Sequence, residues 1–202
     1  MKVLTTILLL VICVPLRAQE GLYAPAPPED AALVRVINAT VNETSLDVGP
    51  LGFRDIAPED ATAYRPLVGD VVVVTFDGAR EVITPQPGDF LTVLLVPGRV
   101  LVFVDERHTD PARSQLVMYN VAAEKVSLRA TEPQAMIMPA VAPGNAGVRT
   151  VNAVPVRLSA STDDGPPFAV TLDLTRGESY ALVYVGEAER PGFAVQATVS
   201  AE

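Results

Sequence analysis

The chain has 202 residues, 49% of them hydrophobic and 19% charged, a balance that builds a core and excludes the low-hydrophobicity, high-charge composition of a disordered protein. Its formal net charge is -9, with 24 acidic residues against 15 Lys and Arg, which excludes a general affinity for nucleic acid, since displacing counterions from phosphates takes clustered cations. Tryptophan is absent and aromatics are 5%, which argues against a dedicated carbohydrate platform of exposed stacking rings.

The N-terminus predicts an export signal over residues 1–18. Lys2 is the positive start, Val3 to Val14 the short apolar stretch, and Pro15-Leu16-Arg17-Ala18 precedes polar Gln19-Glu20. The apolar run is shorter than the roughly 20 residues of a membrane span, so cleavage after Ala18 leaves no span and an expected periplasmic location. The cut also removes Lys2, Arg17 and the single cysteine, Cys13. The mature chain then carries a charge of about -11, and neither a disulfide nor thiol chemistry is available to it.

Residues 19–30 read as an extended, Pro-rich lead-in (Gly21 to Pro28, GLYAPAPP). Short β-branched runs follow at Leu33–Ile37, Val71–Phe76, Glu81–Thr84, Phe90–Val96 and Val100–Val104, punctuated by Pro and Gly. Asp77-Gly78 between two runs predicts a tight hairpin, because both residues tolerate positive φ. Eighteen prolines spread along the chain oppose helices, each costing about 3 kcal/mol in a helix interior.

The second half repeats the first. Leu33-Val34-Arg35-Val36-Ile37-Asn38 with Ser45-Leu46 corresponds to Leu116-Val117-Met118-Tyr119-Asn120 with Ser127-Leu128, the two asparagines and the two Ser-Leu pairs sharing one offset. Pro87-Gly88-Asp89-Phe90 and the strand after it match Arg176-Gly177-Glu178-Ser179-Tyr180 and its strand. The predicted fold class is all-β: two tandem antiparallel β-sandwich domains, 31–106 and 114–202, of about seven strands each. They are joined by a short polar linker, 107–113, that limits how far they separate.

Catalytic chemistry has few candidates. The one histidine, His108, falls in the linker, and without a second histidine or a mature cysteine no zinc set forms. No Gly-x-Ser-x-Gly elbow or phosphate loop occurs. The acidic pairs Glu29-Asp30, Glu59-Asp60 and Asp163-Asp164 read as turn formers. Asn38-Ala39-Thr40 and Asn42-Glu43-Thr44 fit the N-glycosylation pattern. Pro133 to Pro139, with Met136 and Met138, reads as a core strand or an adaptable docking edge. Arg35, Arg149 and Arg157 sit in alternating strands and are expected to point outwards, as solvated residues or as contacts for an acidic partner.

Leu22-Tyr23-Ala24-Pro25-Ala26-Pro27-Pro28 followed by Leu33 to Ala39 resembles the opening of the mature AlgF family of periplasmic alginate O-acetylation proteins. The likeness continues through Ile56-Ala57-Pro58 and Tyr64 to Gly69, then Val148 to Val156 and Leu172 to Glu178. The resemblance implies a periplasmic accessory protein of two β-sandwiches. Such a protein is needed for O-acetylation of alginate or a related exopolysaccharide, with periplasmic and membrane-bound acetylation proteins as partners and the polymer as a further candidate. The expectation drawn is a non-catalytic adaptor with no catalytic residue, cofactor or metal. Its candidate binding surface comprises Arg35, Tyr64, Arg149, Asn152 and Arg157. The alternatives are an acetyl carrier or transferase using a hydroxyl such as Ser114 or Tyr64, and a polysaccharide-binding protein.

Overall fold

A computed structural model describes residues 27–197, and the signal segment, Cys13 and most of the lead-in lie outside them. Sixteen strands are present among the described residues. In the first half they are β1 (Ala32–Asn38), β2 (Thr44–Val48), β3 (Leu51–Ile56), β4 (Arg65–Leu67), β5 (Val72–Phe76), β6 (Ala79–Ile83), β7 (Phe90–Val96) and β8 (Arg99–Asp105). The second half holds β9 (Arg113–Asn120), β10 (Val126–Thr131), β11 (Gln134–Val141), β12 (Ala146–Asn152), β13 (Pro155–Ser161), β14 (Phe168–Asp173), β15 (Ser179–Tyr184) and β16 (Gly192–Ala197).

They form four four-stranded sheets, and the repeat seen in the sequence is a repeat of topology. An outer sheet β3-β2-β5-β6 packs on an inner sheet β4-β1-β7-β8, and β11-β10-β13-β14 packs on β12-β9-β15-β16 in the same order. Each sandwich therefore has eight strands rather than seven. The short strand β4 escapes a propensity reading because it is three residues long with Pro66 at its centre, which suits only a sheet edge. Pairing is antiparallel except for one parallel pair at the middle of each inner sheet, β1 with β7 and β9 with β15. Asp77 and Gly78 make the expected two-residue hairpin with φ of 48° and 78°.

Sandwich cores form where alternate side chains of facing sheets meet. Val34, Val36, Leu46, Val74 and Val93 lie in the first core, and Leu116, Met118, Leu128, Leu158 and Leu182 in the second. A third core joins the two inner sheets through their other faces, with Ile37, Leu94, Phe103, Tyr119 and Val183 among its buried members. The halves are thus docked face to face rather than tethered, and the separation left open by the linker is closed by packing. The central strands of the inner sheets are buried on both faces: every residue of β1 except Leu33 is buried, as is every residue of β7 except Phe90.

The repeated asparagines end β1 and β9 and tie down the loop that leaves each strand. Asn38 Nδ2 donates to the carbonyls of Asn42 (2.8 Å) and Ile56 (2.9 Å), and Asn120 Nδ2 to those of Glu124 (2.6 Å) and Val141 (2.8 Å). Asn38 is fully buried, which removes it as a glycosylation acceptor.

Reciprocal arginines cross the junction. Arg190, before β16, donates through Nη1 to Thr40 O (2.8 Å) and through Nη2 to Ala39 O (2.9 Å). Arg99, at the start of β8, donates through Nη2 to Val121 O (3.2 Å), the residue that follows Asn120 as Ala39 follows Asn38. Charge-assisted bonds contribute about 1.5–3 kcal/mol each. Arg190→Ala is expected to lower stability by about 2 kcal/mol, and Arg99→Ala, which loses one longer bond, by less. Urea midpoints of the two variants measure this ordering.

Candidate functional site

Arg35 sits on the face of β1 that also carries Ile37, so it projects into the layer between the inner sheets. Its side chain is 2% exposed. The outward orientation expected for it fails because β1 has no solvent face: one side packs on the outer sheet and the other on the second sandwich. Thr92 lies beside it on β7, in register, on the same face.

The guanidinium is held from three directions. Nε donates to Thr92 Oγ1 (2.8 Å), Nη2 donates to Tyr119 Oη (3.0 Å), and the Asp105 carboxylate stands 3.6 Å from Nη2. Asp105 ends β8 on the same face as Phe103 and is 5% exposed. It accepts from the hydroxyls of Tyr64 (2.9 Å), Tyr119 (2.6 Å) and Thr92. The Tyr64 ring lies under the guanidinium, 4.8 Å from Cζ, and meets Phe90 edge to face at 5.3 Å. Tyr119 brings the second sandwich into the network, so this ion pair belongs to the junction and not to one domain.

The titration behaviour follows from this packing. Burial raises the Tyr64 and Tyr119 phenols well above the ordinary tyrosine value of 10.0; Arg35 opposes that rise and Asp105 adds to it. Burial by itself would lower Arg35, but Tyr119, Tyr64 and Asp105 outweigh it and leave it above its ordinary value. At neutral pH the site therefore holds a guanidinium, and its two tyrosines are phenols that donate hydrogen bonds.

A cavity of about 300 Å³ opens beside the pair. Arg35, Tyr64 and Phe90 line it from the first sandwich, and Gln115, Val117 and Ser179 from the second. The connecting segment between β8 and β9 crosses it with Glu106, Arg107 and His108. Arg107 lies over the Phe90 ring at 5.8 Å. His108 Nε2 lies 2.9 Å from the Arg113 carbonyl, and Gln115 Nε2 donates to Glu106 O (3.0 Å). The expected linker thus forms part of a pocket wall.

Of the five residues proposed as a binding surface, the structure brings together Arg35 and Tyr64. Arg149 and Asn152 are exposed on β12, an edge strand, and Arg157 is exposed on β13 of the outer sheet. Ser114, one of the two candidate hydroxyls, is fully buried and donates to Thr175 O at 2.6 Å. Asp105, Thr92 and Tyr119 lie outside the surface that the sequence predicts. Their signal was available as single polar groups within apolar strands, Thr92 in Phe90–Val96 above all. In the methionine strand, Met138 is core and Met136 is 46% exposed. Among the described residues no group of three or more His, Cys, Asp or Glu is placed to hold a metal ion, and no helix is long and apolar enough to cross a membrane.

Fold and site together define a tandem β-sandwich protein whose two halves are joined through a buried Arg-Asp-Tyr network with a cavity beside it. The sequence matches the profile of the family described as "Alginate O-acetyl transferase AlgF" over residues 6–181, and the chain belongs to that family. It is 26% identical over 175 residues to the alginate biosynthesis protein AlgF of Pseudomonas aeruginosa, covering 84% of this chain and 80% of that protein. The protein of the same name from Pseudomonas syringae pv. tomato is 25% identical over 173 residues (83% and 76%), and that of Azotobacter vinelandii 22% over 174 (84% and 79%). The expectation that the chain is not an enzyme is corrected by the family description, which is that of an O-acetyl transferase.

Removing one partner of a buried ion pair costs about 3–5 kcal/mol, because the other charge stays buried and uncompensated. Arg35→Met is expected to lose that much in denaturant unfolding. Arg35→Met combined with Asp105→Leu is expected to lose less than the sum of the single variants. The raised phenols add a pH dependence: stability is complete below about pH 10 and falls above it, because the unfolded tyrosines ionise first. An alkaline titration followed at the tyrosinate absorbance is expected to show two tyrosines that ionise only as the chain unfolds.

Proposed function

We propose that this chain acts in the periplasm, in the O-acetylation of alginate or a related exopolysaccharide, and that it works there by engaging the other acetylation proteins. The family match over residues 6–181 carries the acetylation part of the reading. The N-terminal Lys2, apolar stretch and Ala18 support export.

Engagement of protein partners is supported by the outer surface of the first sandwich. Val73 on β5 and Val82 on β6 are direct cross-strand partners, 36% and 55% exposed, and Val71 just before β5 is 63% exposed. A cluster of valines on a solvent-facing sheet is the kind of apolar patch that marks an interaction site. The face-to-face docking of the sandwiches supports a scaffold role, since it holds this surface at a fixed distance from the second domain.

In the source bacterium, deleting the gene is expected to abolish acetyl groups on the polymer while polymer yield is maintained, read as acetyl protons per uronate in NMR spectra of the purified polysaccharide. Acetyl content equal to that of the parent strain would refute the reading. Complementation with Val73→Lys/Val82→Lys, which leaves every buried residue in place, is expected to restore folded protein but not acetylation.

A further inference from the structure

The outer sheet of the second sandwich presents a face unlike the valines of the first. Val126, Leu128 and Ala130 of β10 and Val156, Leu158 and Ala160 of β13 pack into the second core, so strand alternation sends Arg129 and Arg157 outwards on neighbouring strands. Both are exposed. Arg129 stands opposite Ser159, two residues from Arg157, which sets the two arginines on a diagonal of about 7–8 Å. Among the described residues no carboxylate lies within salt-bridge distance of either guanidinium.

The ground around the pair is short and neutral. Ser127, Ser159, Ser161 and Thr171 share the face. A register shift at Ile137 brings Met136 of the edge strand β11 opposite Arg129, where it is 46% exposed although Met138 is core. Carboxylates stand at the margins, Asp173 opposite Pro155 at the end of β14 and Glu132 in the turn between β10 and β11. In a chain with 24 acidic residues against 15 Lys and Arg, a sheet face centred on two uncompensated arginines suits a ligand that brings its own carboxylates.

The spacing narrows that ligand. Carboxylates two residues apart in an extended chain project to one side, about 7 Å from each other, which matches the arginine diagonal. An apolar side chain two positions earlier meets Met136, whose unbranched thioether adapts to aliphatic partners of different shape. A linear polyanion is the other candidate, but its affinity scales with the number of charges neutralised, and this face offers two on a chain of net charge -9. No aromatic ring on the face gives sugars a stacking platform.

We propose that the outer face of the second sandwich docks an extended acidic segment of a partner protein, of the form apolar-x-acid-x-acid. Its two carboxylates sit on Arg129 and Arg157 and its apolar side chain on Met136. That the partner is one of the acetylation proteins rests on the reading proposed above; the face and the chemistry of its ligand do not.

The test is an NMR titration of the isotope-labelled mature chain, followed at the Met136 methyl group and the Arg129 and Arg157 Nε–H signals. The probes are two end-blocked peptides, Leu-Ser-Asp-Ser-Asp and Leu-Ser-Asn-Ser-Asn, and a short oligouronate. The Asp peptide is expected to give saturable shifts that weaken as salt is raised, with the Asn peptide and the oligouronate binding at least about tenfold more weakly. Arg129→Gln combined with Arg157→Gln changes two exposed side chains and leaves every core residue in place, so the variant is expected to fold as the parent does. Read at Met136, it is expected to bind the Asp peptide about tenfold more weakly or less tightly still. Absence of saturable shifts, an Asn peptide or a double variant that binds as tightly as its parent, or an oligouronate that binds this face more tightly than the Asp peptide would each overturn the proposal. Binding is read on purified protein and at the second sandwich, so its failure leaves the acetyl content of cells and the valine face of the first sandwich as separate results.

Discussion

A charged pair buried between two sheets dominates the energetics of this molecule. Arg35 and Asp105 are each at most 5% exposed, and isolated charges at that depth would destabilise any fold by several kcal/mol. They are tolerated because three hydroxyls and a tyrosine face surround them, and one of those hydroxyls, Tyr119, comes from the other sandwich. Separating the halves would expose the apolar third core and also strip the ion pair of a donor. The junction is therefore the place where the two domains become a single body, and the reciprocal arginines at its edge act in the same sense.

This arrangement gives each sheet a distinct task. The outer sheets close the sandwich cores and present the exposed faces, including the valine patch of the first domain. The central strands of the inner sheets, β1, β7, β9 and β15, have no free face, so a polar residue within them must find its partners inside the protein. At the junction Arg35 does so through Thr92, Tyr119 and Asp105, beside a cavity lined by both sandwiches.

Much of the architecture was legible in the sequence, for identifiable reasons. Turn chemistry at Asp77-Gly78 and the glycines that follow Pro87 and Arg176 marks strand ends directly, since those residues take the positive φ that others avoid. The offset shared by Asn38 and Asn120 reports a structural duty, the tying of two equivalent loops, and so reveals the repeat. The burial of Arg35 was not legible. Strand alternation assigns each residue to one of two faces, but only the third core, a long-range packing event, decides that both faces of β1 are interior. The parallel pairs were hidden likewise, because they join β1 to β7 and β9 to β15 across five intervening strands in each half. The site followed suit: the sequence presents Arg35 as an outward cation and Tyr64 as a candidate hydroxyl, and only the fold makes them neighbours in a buried network.

On this account the two sandwiches move as one body through the Arg35–Asp105–Tyr119 junction. Backbone residual dipolar couplings of the mature protein test it most directly. One alignment tensor is expected to fit the amides of both sandwiches, with the relative orientation of the inner sheets described here; two tensors of different magnitude, one for each sandwich, would contradict it.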